Sequence, residues 1–261
     1  MILGSCGTTS SLPYRQRGGY PLVSGHRGAN CIAPENTMAS LDSCIRYGVD
    51  VMELDVVMSA DSIFYLLHDR TIDRTTNGTG KPGEYPSYVL DTLDAGSWFG
   101  PQWAGQKLPR FADILKKAHD SSTDITIDYR NGEFRDIIEL LKSEDMLERT
   151  NFTFGRDEDM IAFRKEFPEI RTLQAYVRNP ADLDKVIEAA SPDIIVCRIG
   201  MLDRKFVRKC HRKGLQVLAL CLGLDDMSED NMKAVRLKVD VVATDRPVAF
   251  RNQFNYSAKG L

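Results

Sequence analysis

Two acidic residues interrupt an apolar, β-favouring stretch of the sequence, Val51–Val57. Successive side chains of a strand alternate between its faces, so Glu53 and Asp55 lie on the same face. Buried carboxylates without a partner are unfavourable in their charged form, so the pair predicts a metal ion or a cationic group beside them. A half-exposed strand with one polar face is the alternative interpretation of this spacing.

A third carboxylate follows from the same alternation in a later apolar stretch, Ile125–Tyr129. There Asp128 and Arg130 lie on one face, and we expect Asp128 to project inward near Glu53 and Asp55. Three carboxylates without nearby histidine or cysteine favour a hard cation, Mg²⁺ or Ca²⁺, over zinc. The sequence leaves the choice between these two ions open.

Two histidines follow β-like stretches, and the first of them is a candidate for general acid/base catalysis. Gly25 and Gly28 flank His26 and Arg27, whereas His68 directly follows the stretch Ile63–Leu67. Histidine titrates near neutral pH and arginine binds phosphate oxygens through two N–H groups, so His26 and Arg27 fit phosphoryl chemistry. A strand end capped by glycines is the alternative for the His-Arg pair.

Short β-like stretches alternate with helical patterns from Tyr20 onward, which predicts βα units around a parallel sheet. The candidate strands are Pro21–Gly25, Val51–Val57, Ile125–Tyr129, Asn151–Phe154, Thr172–Tyr176, Ile194–Cys197, Gln216–Leu220 and Val241–Ala243. Eight such units in one chain predict an α/β fold, a (β/α)8 TIM barrel. In that fold the catalytic groups lie at the carboxyl ends of the strands.

The second strand is expected to turn back at Ser59–Ser62 and form a hairpin with Ile63–Leu67. Pairing of Met58 with Ile63 would place His68 opposite Glu53. A long insertion, about residues 69–109, follows this hairpin on the active-site side of the barrel. The domain organisation is therefore an N-terminal tether at 1–19, a barrel domain at 20–250 and a tail at 251–261.

The composition excludes some classes of binding. The 261 residues include 34 Lys and Arg against 37 Asp and Glu, a formal net charge of −3. Proteins that bind nucleic acid or anionic membranes have an excess of basic residues, and this composition does not. Beyond Cys6 the chain has five cysteines and no CxxC pair, which argues against a zinc site and a disulfide framework: Cys31, Cys44, Cys197, Cys210 and Cys221.

The first residues, Leu3–Cys6, resemble the end of a bacterial lipoprotein signal, in which the cysteine is lipidated. The polar stretch Gly7–Gly19 then fits a tether. Met1 and Ile2 are too few to form the hydrophobic region of such a signal, so a chance match is the alternative. We expect a periplasmic or membrane-anchored bacterial lipoprotein that contacts the membrane through lipid on Cys6, and otherwise a cytoplasmic protein.

Several motifs occur in the order and spacing of one family, from about Leu22 to Pro247, and together they resemble the glycerophosphodiester phosphodiesterase family. They are His26-Arg27-Gly28, Ala33-Pro34-Glu35-Asn36-Thr37, Gly48-Val49-Asp50, Glu53-Leu54-Asp55-Val56, His68-Asp69, Arg74-Thr75-Thr76-Asn77-Gly78, Leu93-Asp94-Ala95-Gly96 and Thr244-Asp245-Arg246-Pro247.

The resemblance implies a metal-dependent barrel that hydrolyses glycerophosphodiesters to glycerol phosphate and an alcohol. By position, His26 and His68 match the family's catalytic histidines and Arg27 matches a phosphate-binding residue. Glu53 and Asp55 match two metal ligands. We interpret Asn36 as the N-cap of the helix that begins near Thr37, with a contact in the site as the alternative.

The chain departs from the family pattern at two places. The third family ligand is usually a glutamate two positions before a lysine, whereas these positions are Asp128 and Arg130 here. We expect Asp128 to be the third metal ligand and Arg130 to bind phosphate. The seventh strand often has a tryptophan in the family and has Leu218–Leu220 here, which changes the surface available to the leaving alcohol.

Two other functions stay open at this point. One is a lipid phosphodiesterase that acts on lysophospholipid or phosphoinositide head groups, which aromatic residues of the insertion would favour. The other is a non-catalytic barrel that binds sugar phosphates, although binding alone has no need of two histidines and three acids. The attacking nucleophile, water or a glycerol hydroxyl, and the oligomeric state also stay open. The expected partner is a small-molecule substrate and not a nucleic acid.

Overall fold

The computed structural model describes residues 20–170, 172–223 and 228–254. Its strands are β1 (Leu22–Gly25), β2 (Val51–Met58), β3 (Phe64–Leu66), β4 (Asp124–Tyr129), β5 (Thr150–Phe154), β6 (Gln174–Tyr176), β7 (Ile194–Arg198), β8 (Gln216–Cys221) and β9 (Val241–Thr244). Eight strands are ordered β5-β4-β2-β1-β9-β8-β7-β6, with all ladders along this path parallel. A parallel bridge between Phe152 and Leu173 joins β5 to β6. The predicted (β/α)8 barrel is confirmed.

Strand residues are buried on both faces of the sheet. Val51, Leu218 and Val241 belong to an apolar cluster formed by the barrel strands, whereas Val23 and Met52 belong to the larger cluster that includes helix residues. Burial of each such aliphatic side chain contributes about 1.5–3 kcal/mol to folding. Two buried faces explain why the strands read as nearly continuous apolar stretches in the sequence.

Helices connect the strands and cover the barrel. They are α1 (Met38–Arg46), α2 (Ser87–Leu90), α3 (Phe111–His119), α4 (Phe134–Ser143), α5 (Asp157–Glu166), α6 (Leu183–Ala190), α7 (Arg204–Arg212), α8 (Ser228–Leu237) and α9 (Pro247–Gln253). In α3 the residues at helical spacing, Phe111, Ile114, Leu115 and Ala118, are fully buried. Their burial fixes the face that α3 turns to the barrel.

The hairpin of β2 and β3 forms as predicted, but its register differs by one residue. Met58 pairs with Phe64 and not with Ile63. Counting back along this ladder no longer places His68 opposite Glu53, and β3 ends at Leu66. The turn explains the shift, because Ser62 adopts a left-handed conformation and the Ser59 hydroxyl accepts a hydrogen bond from the Ile63 N–H.

The insertion between β3 and α3 has an apolar cluster of its own. Ile72, Leu90 and Leu93 pack there with Tyr65 of β3. The Asp94 carboxylate accepts main-chain N–H groups at 2.7–2.8 Å from three glycine or serine residues, which ties the loop together: Gly96, Ser97 and Gly105. Among the described residues, no helix combines the length and apolar character needed to cross a membrane.

Aspartates that precede strands recur at the amino end of the barrel. Asp50 precedes β2, Asp193 precedes β7 and Asp240 precedes β9. Each accepts a main-chain N–H at 2.8–3.1 Å from a residue in, or directly before, a neighbouring strand. Each also binds one cationic or titratable side chain. These partners are Arg251 for Asp50, Arg164 for Asp193 and His211 for Asp240. The three carboxylates therefore join strands and helices at this end.

Candidate active site

Three carboxylates converge at the carboxyl end of β2 and β4. Asp55 and Asp128 are register partners in neighbouring parallel strands, and Glu53 precedes Asp55 by two residues on the same face. One oxygen from each carboxylate lies within 4.8 Å of the other two. The predicted convergence of these acids is confirmed, and their role as metal ligands stays a prediction.

We call Glu53, Asp55 and Asp128 the acidic cluster. Burial disfavours the ionised form of two of these carboxyl groups. Burial, together with the charge of Asp55, raises the pKa of Glu53 to about 7. Burial also raises the pKa of Asp128 to about 6, against the opposing effect of Arg130. One oxygen of Asp128, Oδ1, is buried without a hydrogen-bond partner among the described residues. An all-oxygen cluster with an unpaired buried acceptor fits a hard divalent cation.

Side chains around the cluster hold its carboxylates in place. The Arg130 Nη2 atom lies 2.5 Å from Asp55 Oδ1 and 2.7 Å from Asp128 Oδ2. Asn36 donates to Asp55 Oδ2 at 2.9 Å and accepts from the Asp55 N–H at 3.2 Å. Asn36 is therefore not the N-cap of α1. Thr37 has that position, because its hydroxyl accepts from the Ser40 N–H and Asn36 is already bonded to Asp55.

The loop after β1 brings His26 and Arg27 to the cluster through a strained backbone. Arg27 has φ +52° and Gly28 has φ +85°, both in the left-handed region. A Cβ atom at Gly28 would lie 1.9 Å from the Ser40 hydroxyl oxygen, so only glycine fits. The Arg27 N–H donates to Glu53 at 2.8 Å, which ties this loop to the carboxylates.

His26 is oriented by a carboxylate that follows the neighbouring strand β9. Its Nδ1 lies 2.6 Å from Asp245 Oδ1. Asp245 also accepts from Asn30 and from the Gly223 N–H, and although burial opposes its charge, these donors lower its pKa. An ionised carboxylate only accepts, so the proton of His26 lies on Nδ1 and its Nε2 is left for proton transfer.

Burial disfavours the protonated form of His26, but its hydrogen bond to Asp245 and the charge of Glu53 outweigh that effect. The pKa of His26 consequently lies above its ordinary value. The imidazole thus has the hydrogen bonding and charge environment of a proton-transfer group.

His68 is held in the same way on the insertion side. Its Nδ1 lies 2.7 Å from Asp69 Oδ1. Arg74 binds Asp69 through Nε at 2.6 Å and also Glu35 at 2.7 Å, and Glu35 in turn accepts from Arg27 at 2.9 Å. This chain of ion pairs links the insertion to the loop after β1. Hydrogen bonding to Arg74 and His68 depresses the pKa of Asp69, which keeps it an acceptor.

The two histidines, the acidic cluster and Arg130 line one cavity of about 220 Å³ in the barrel mouth. A phosphate group placed there would meet proton-transfer groups and cationic groups together. Sequence reasoning missed the orienting partners Asp245 and Asp69 and the Glu35–Arg74 pair. A signal for Asp245 existed, because it directly follows β9 and β9 is the barrel neighbour of β1.

The chain matches the Glycerophosphoryl diester phosphodiesterase family over residues 26–249. A glycerophosphodiester phosphodiesterase of Caldanaerobacter subterraneus subsp. tengcongensis is 26% identical over 240 residues, which cover 88% of this chain and 96% of that protein. A Bacillus subtilis glycerophosphodiester phosphodiesterase is 36% identical over 104 residues, but this match covers only 37% of this chain and 36% of that protein.

Solved structures give the same result. A glycerophosphodiester phosphodiesterase from Agrobacterium tumefaciens superposes with a TM-score of 0.80 at 31% identity, covering 89% of this chain and 99% of that one. An Oleispira antarctica phosphodiesterase, in complex with the product sn-glycerol-3-phosphate, gives 0.79 at 25% identity, covering 90% and 97%. The chain belongs to the glycerophosphoryl diester phosphodiesterase family, a family of phosphoric diester hydrolases, as the sequence motifs predicted.

Proposed function

We propose that this protein hydrolyses glycerophosphodiesters to glycerol phosphate and an alcohol, with a divalent cation bound by Glu53, Asp55 and Asp128. The observation that carries this proposal is the acidic cluster with its unpaired Asp128 oxygen, placed between two histidines that are each held at Nδ1 by a carboxylate. The product complex of the Oleispira antarctica relative supports a glycerol phosphate product.

The acidic cluster would hold Mg²⁺ or Ca²⁺, since all its donors are carboxylate oxygens. Such an ion, when bound, supplies Lewis-acid stabilisation of negative charge on phosphate oxygens. Arg130 holds Asp55 and Asp128 at their present spacing through Nη2. Its Nη1 atom has no hydrogen-bond partner among the described residues, and it provides donors for a phosphate oxygen. Arg27, whose guanidinium lies 2.9 Å from Glu35 and 3.7 Å from Asp55, adds a second positive charge at the cluster.

The histidines divide the proton transfers between them. One removes a proton from the nucleophile and the other protonates the departing alkoxide, each through Nε2. Asp245 and Asp69 fix the tautomer that leaves Nε2 free for this step. The nucleophile is water or a glycerol hydroxyl of the substrate. In the second case the hydroxyl first forms a cyclic phosphate, and water then opens that ring.

Product analysis on a panel of glycerophosphodiesters tests the proposal. The purified protein, stripped of metal and then supplied with Mg²⁺ or Ca²⁺, should release glycerol phosphate only with the added ion. Detection of a transient cyclic glycerol phosphate would identify the glycerol hydroxyl as the nucleophile. Incorporation of labelled solvent oxygen with no cyclic intermediate would identify water as the nucleophile. Absence of hydrolysis across the panel with either ion would reject the proposal and favour the non-catalytic barrel.

A second candidate keeps this chemistry and changes the substrate to a lysophospholipid. A separate, largely apolar cleft supports it, lined by Ile32, Trp98, Phe99 and Val248 beside Glu35. Trp98 is 40% exposed, and the Arg74 guanidinium lies 5.8 Å from its ring centroid. Faster turnover of a lysophospholipid than of its deacylated glycerophosphodiester would establish this candidate, and the reverse order would remove it.

The location prediction rests on Leu3–Cys6, which lie outside the described residues. We propose lipid attachment at Cys6 and membrane association through that lipid. Mass spectrometry of the protein expressed from its full gene in its native host should detect a diacylated Cys6. An unmodified cysteine would refute this proposal and would leave the barrel chemistry untouched.

A further inference from the structure

A second cleft opens from the active site toward the carboxyl ends of β5, β6 and β7. It has a volume of about 480 Å³ and shares Asp128, Tyr176, Val196 and Leu220 with the catalytic cavity. We call it the arginine cleft, because Arg178 and Arg198 line it together with Phe154 and Met201. A phosphodiester bound at the acidic cluster therefore has room for one of its two arms in this cleft.

The two arginines are available to a ligand. The side chain of Arg198 is exposed at the end of β7 and forms no hydrogen bond or ion pair with any described residue. Arg178 approaches Asp157 only at 3.4 Å, and both side chains are at least 60% exposed. An exposed contact of that length contributes little, so Arg178 loses little on turning to a bound anion.

Charge in this region is positive although the whole chain is acidic. Of the residues that line the arginine cleft, Arg178 and Arg198 are cationic, whereas the formal net charge of the chain is −3. Among the residues that line the arginine cleft, the single carboxylate is Asp128, which already contacts Arg130. A cationic group such as choline would meet two arginines in this cleft and a single carboxylate, Asp128, which the proposed function assigns to the divalent cation.

We propose that the arginine cleft binds the alcohol arm of the substrate and that Arg178 and Arg198 select alcohols carrying a phosphate group. This inference rests on the proposed function. Guanidinium groups bind phosphate oxygens through paired N–H groups, which distinguishes phosphate from a neutral hydroxyl. Tyr176 and Phe154 cover the carbon part of that arm.

Three substrates that share the glycerophosphate arm test the inference. They are glycerophosphoglycerol, its terminal phosphate monoester and glycerophosphocholine. The parent enzyme should have the highest kcat/KM for the phosphorylated substrate and the lowest for the choline diester. This preference should weaken as ionic strength rises, because exposed charges are screened by salt.

Arg198→Gln should reduce the preference for the phosphorylated substrate about tenfold, the lower end for a charge-assisted contact because the Arg198 side chain is exposed. Its kcat/KM for glycerophosphoglycerol should fall by a smaller factor, because the neutral hydroxyl of that arm makes no charge-assisted contact. Arg178→Gln should act in the same direction, and the matched control Arg208→Gln, an exposed residue of α7 outside the cleft, should change nothing.

Equal losses on all three substrates in Arg198→Gln would overturn the inference, as would a parent enzyme without preference for the phosphate monoester. A parent enzyme that cleaves none of the three overturns the proposed function, and the arginine cleft loses its substrate with it. Cleavage of all three at similar rates contradicts the selectivity alone.

Discussion

Carboxylates at the two ends of the barrel have opposite surroundings. At the amino end, Asp50, Asp193 and Asp240 lie apart, and each binds a main-chain N–H together with one arginine or histidine. At the carboxyl end Glu53, Asp55 and Asp128 crowd within 4.8 Å, and Asp128 Oδ1 lacks a hydrogen-bond partner. The first arrangement satisfies each acid within the protein, whereas the second leaves the acids incompletely neutralised.

Acidic residues at the two ends of the barrel therefore have different roles. Those at the amino end stabilise the fold, and those at the carboxyl end serve the reaction. A carboxylate that joins two elements and is fully paired contributes to folding, and its removal leaves a buried cation without a partner. Carboxylates held together against their own repulsion favour a cation from outside. This division agrees with the general separation of function and stability between the two ends of α/β barrels.

The largest expected effect is the loss of activity in Asp55→Ala. Asp55 contacts Arg130 and Asn36 and belongs to the cation cluster, so its removal should lower turnover at least about 10³-fold, corresponding to several kcal/mol of transition-state stabilisation. Steady-state hydrolysis of glycerophosphoglycerol with added Mg²⁺ measures it. Asp193→Ala is the matched control and should keep kcat within about twofold below its melting temperature. More than a tenth of parent activity in Asp55→Ala would contradict the comparison.

The histidines come next in size. His26→Ala and His68→Ala should each lower turnover by about 10²–10⁴-fold, the usual contribution of a positioned acid or base. The pH profile of the parent should be bell-shaped and should lose one limb in each variant. A nitrophenyl diester, whose leaving group needs no proton, should restore part of the rate in the acid's variant only. Equal restoration in both variants would refute the division of roles.

Stability, in contrast, should fall most at the amino end. Asp193→Ala leaves Arg164, whose side chain is 12% exposed, without a carboxylate and removes the acceptor of the Leu173 N–H. We expect a loss of about 3 kcal/mol in the free energy of unfolding. Urea denaturation checks this value against Asp184→Ala, an exposed aspartate paired with Lys209, for which no measurable change is expected. Equal stability of the two variants would remove the structural role of Asp193.

The contact of Arg130 with two acids predicts coupling at the carboxyl end. Asp128→Glu and Arg130→Lys should each reduce activity, because a longer acid and a single-pronged cation both disturb the 2.7 Å contact. The double variant should recover at least about fivefold relative to the product of the single losses. A double-mutant cycle in kcat/KM measures this coupling, and additive losses would show that the two positions act independently.

The smallest effect concerns His211 at the amino end. Its hydrogen bond to Asp240, opposed by partial burial, raises its pKa above the ordinary 6.5. The folded state therefore binds the proton more tightly, so this stabilisation is complete below about pH 6.5 and is lost as pH rises through the folded pKa. Solvent screening keeps it below about 1 kcal/mol. The melting temperatures of the parent and of His211→Gln should converge at high pH. A constant difference between them from pH 5 to 9 would show that titration of His211 does not contribute to stability.

Residues whose positions follow from the alternation of side chains along a strand were predictable from the sequence. Glu53, Asp55 and Asp128 share a side because the period of a strand is two and neighbouring parallel strands are in register. Sequence motifs also supplied His26 and His68. Local periodicity carries this information, so the barrel and its acidic cluster could be predicted without coordinates.

Contacts set by turn geometry were not predictable. The register of β2 with β3 depends on the left-handed Ser62, and the one-residue difference lies in a turn whose sequence permits either pairing. Asn36 fits a helix cap by residue type, and only the fold shows that Thr37 caps the helix while Asn36 binds Asp55. The Asp245–His26 pair joins residues 219 positions apart, so its signal lies in the closure of the barrel between β9 and β1 and in no local pattern.

Cation binding to metal-stripped protein tests the central claim most directly. Calorimetric titration with Mg²⁺ and with Ca²⁺ should show one site in the parent and in Asp193→Ala, and no site in Asp55→Ala, with all three proteins folded at the temperature of measurement. Binding should also raise the melting temperature of the parent by mass action. Absence of binding to the parent, or unchanged binding to Asp55→Ala, would contradict the assignment of the acidic cluster as the cation site.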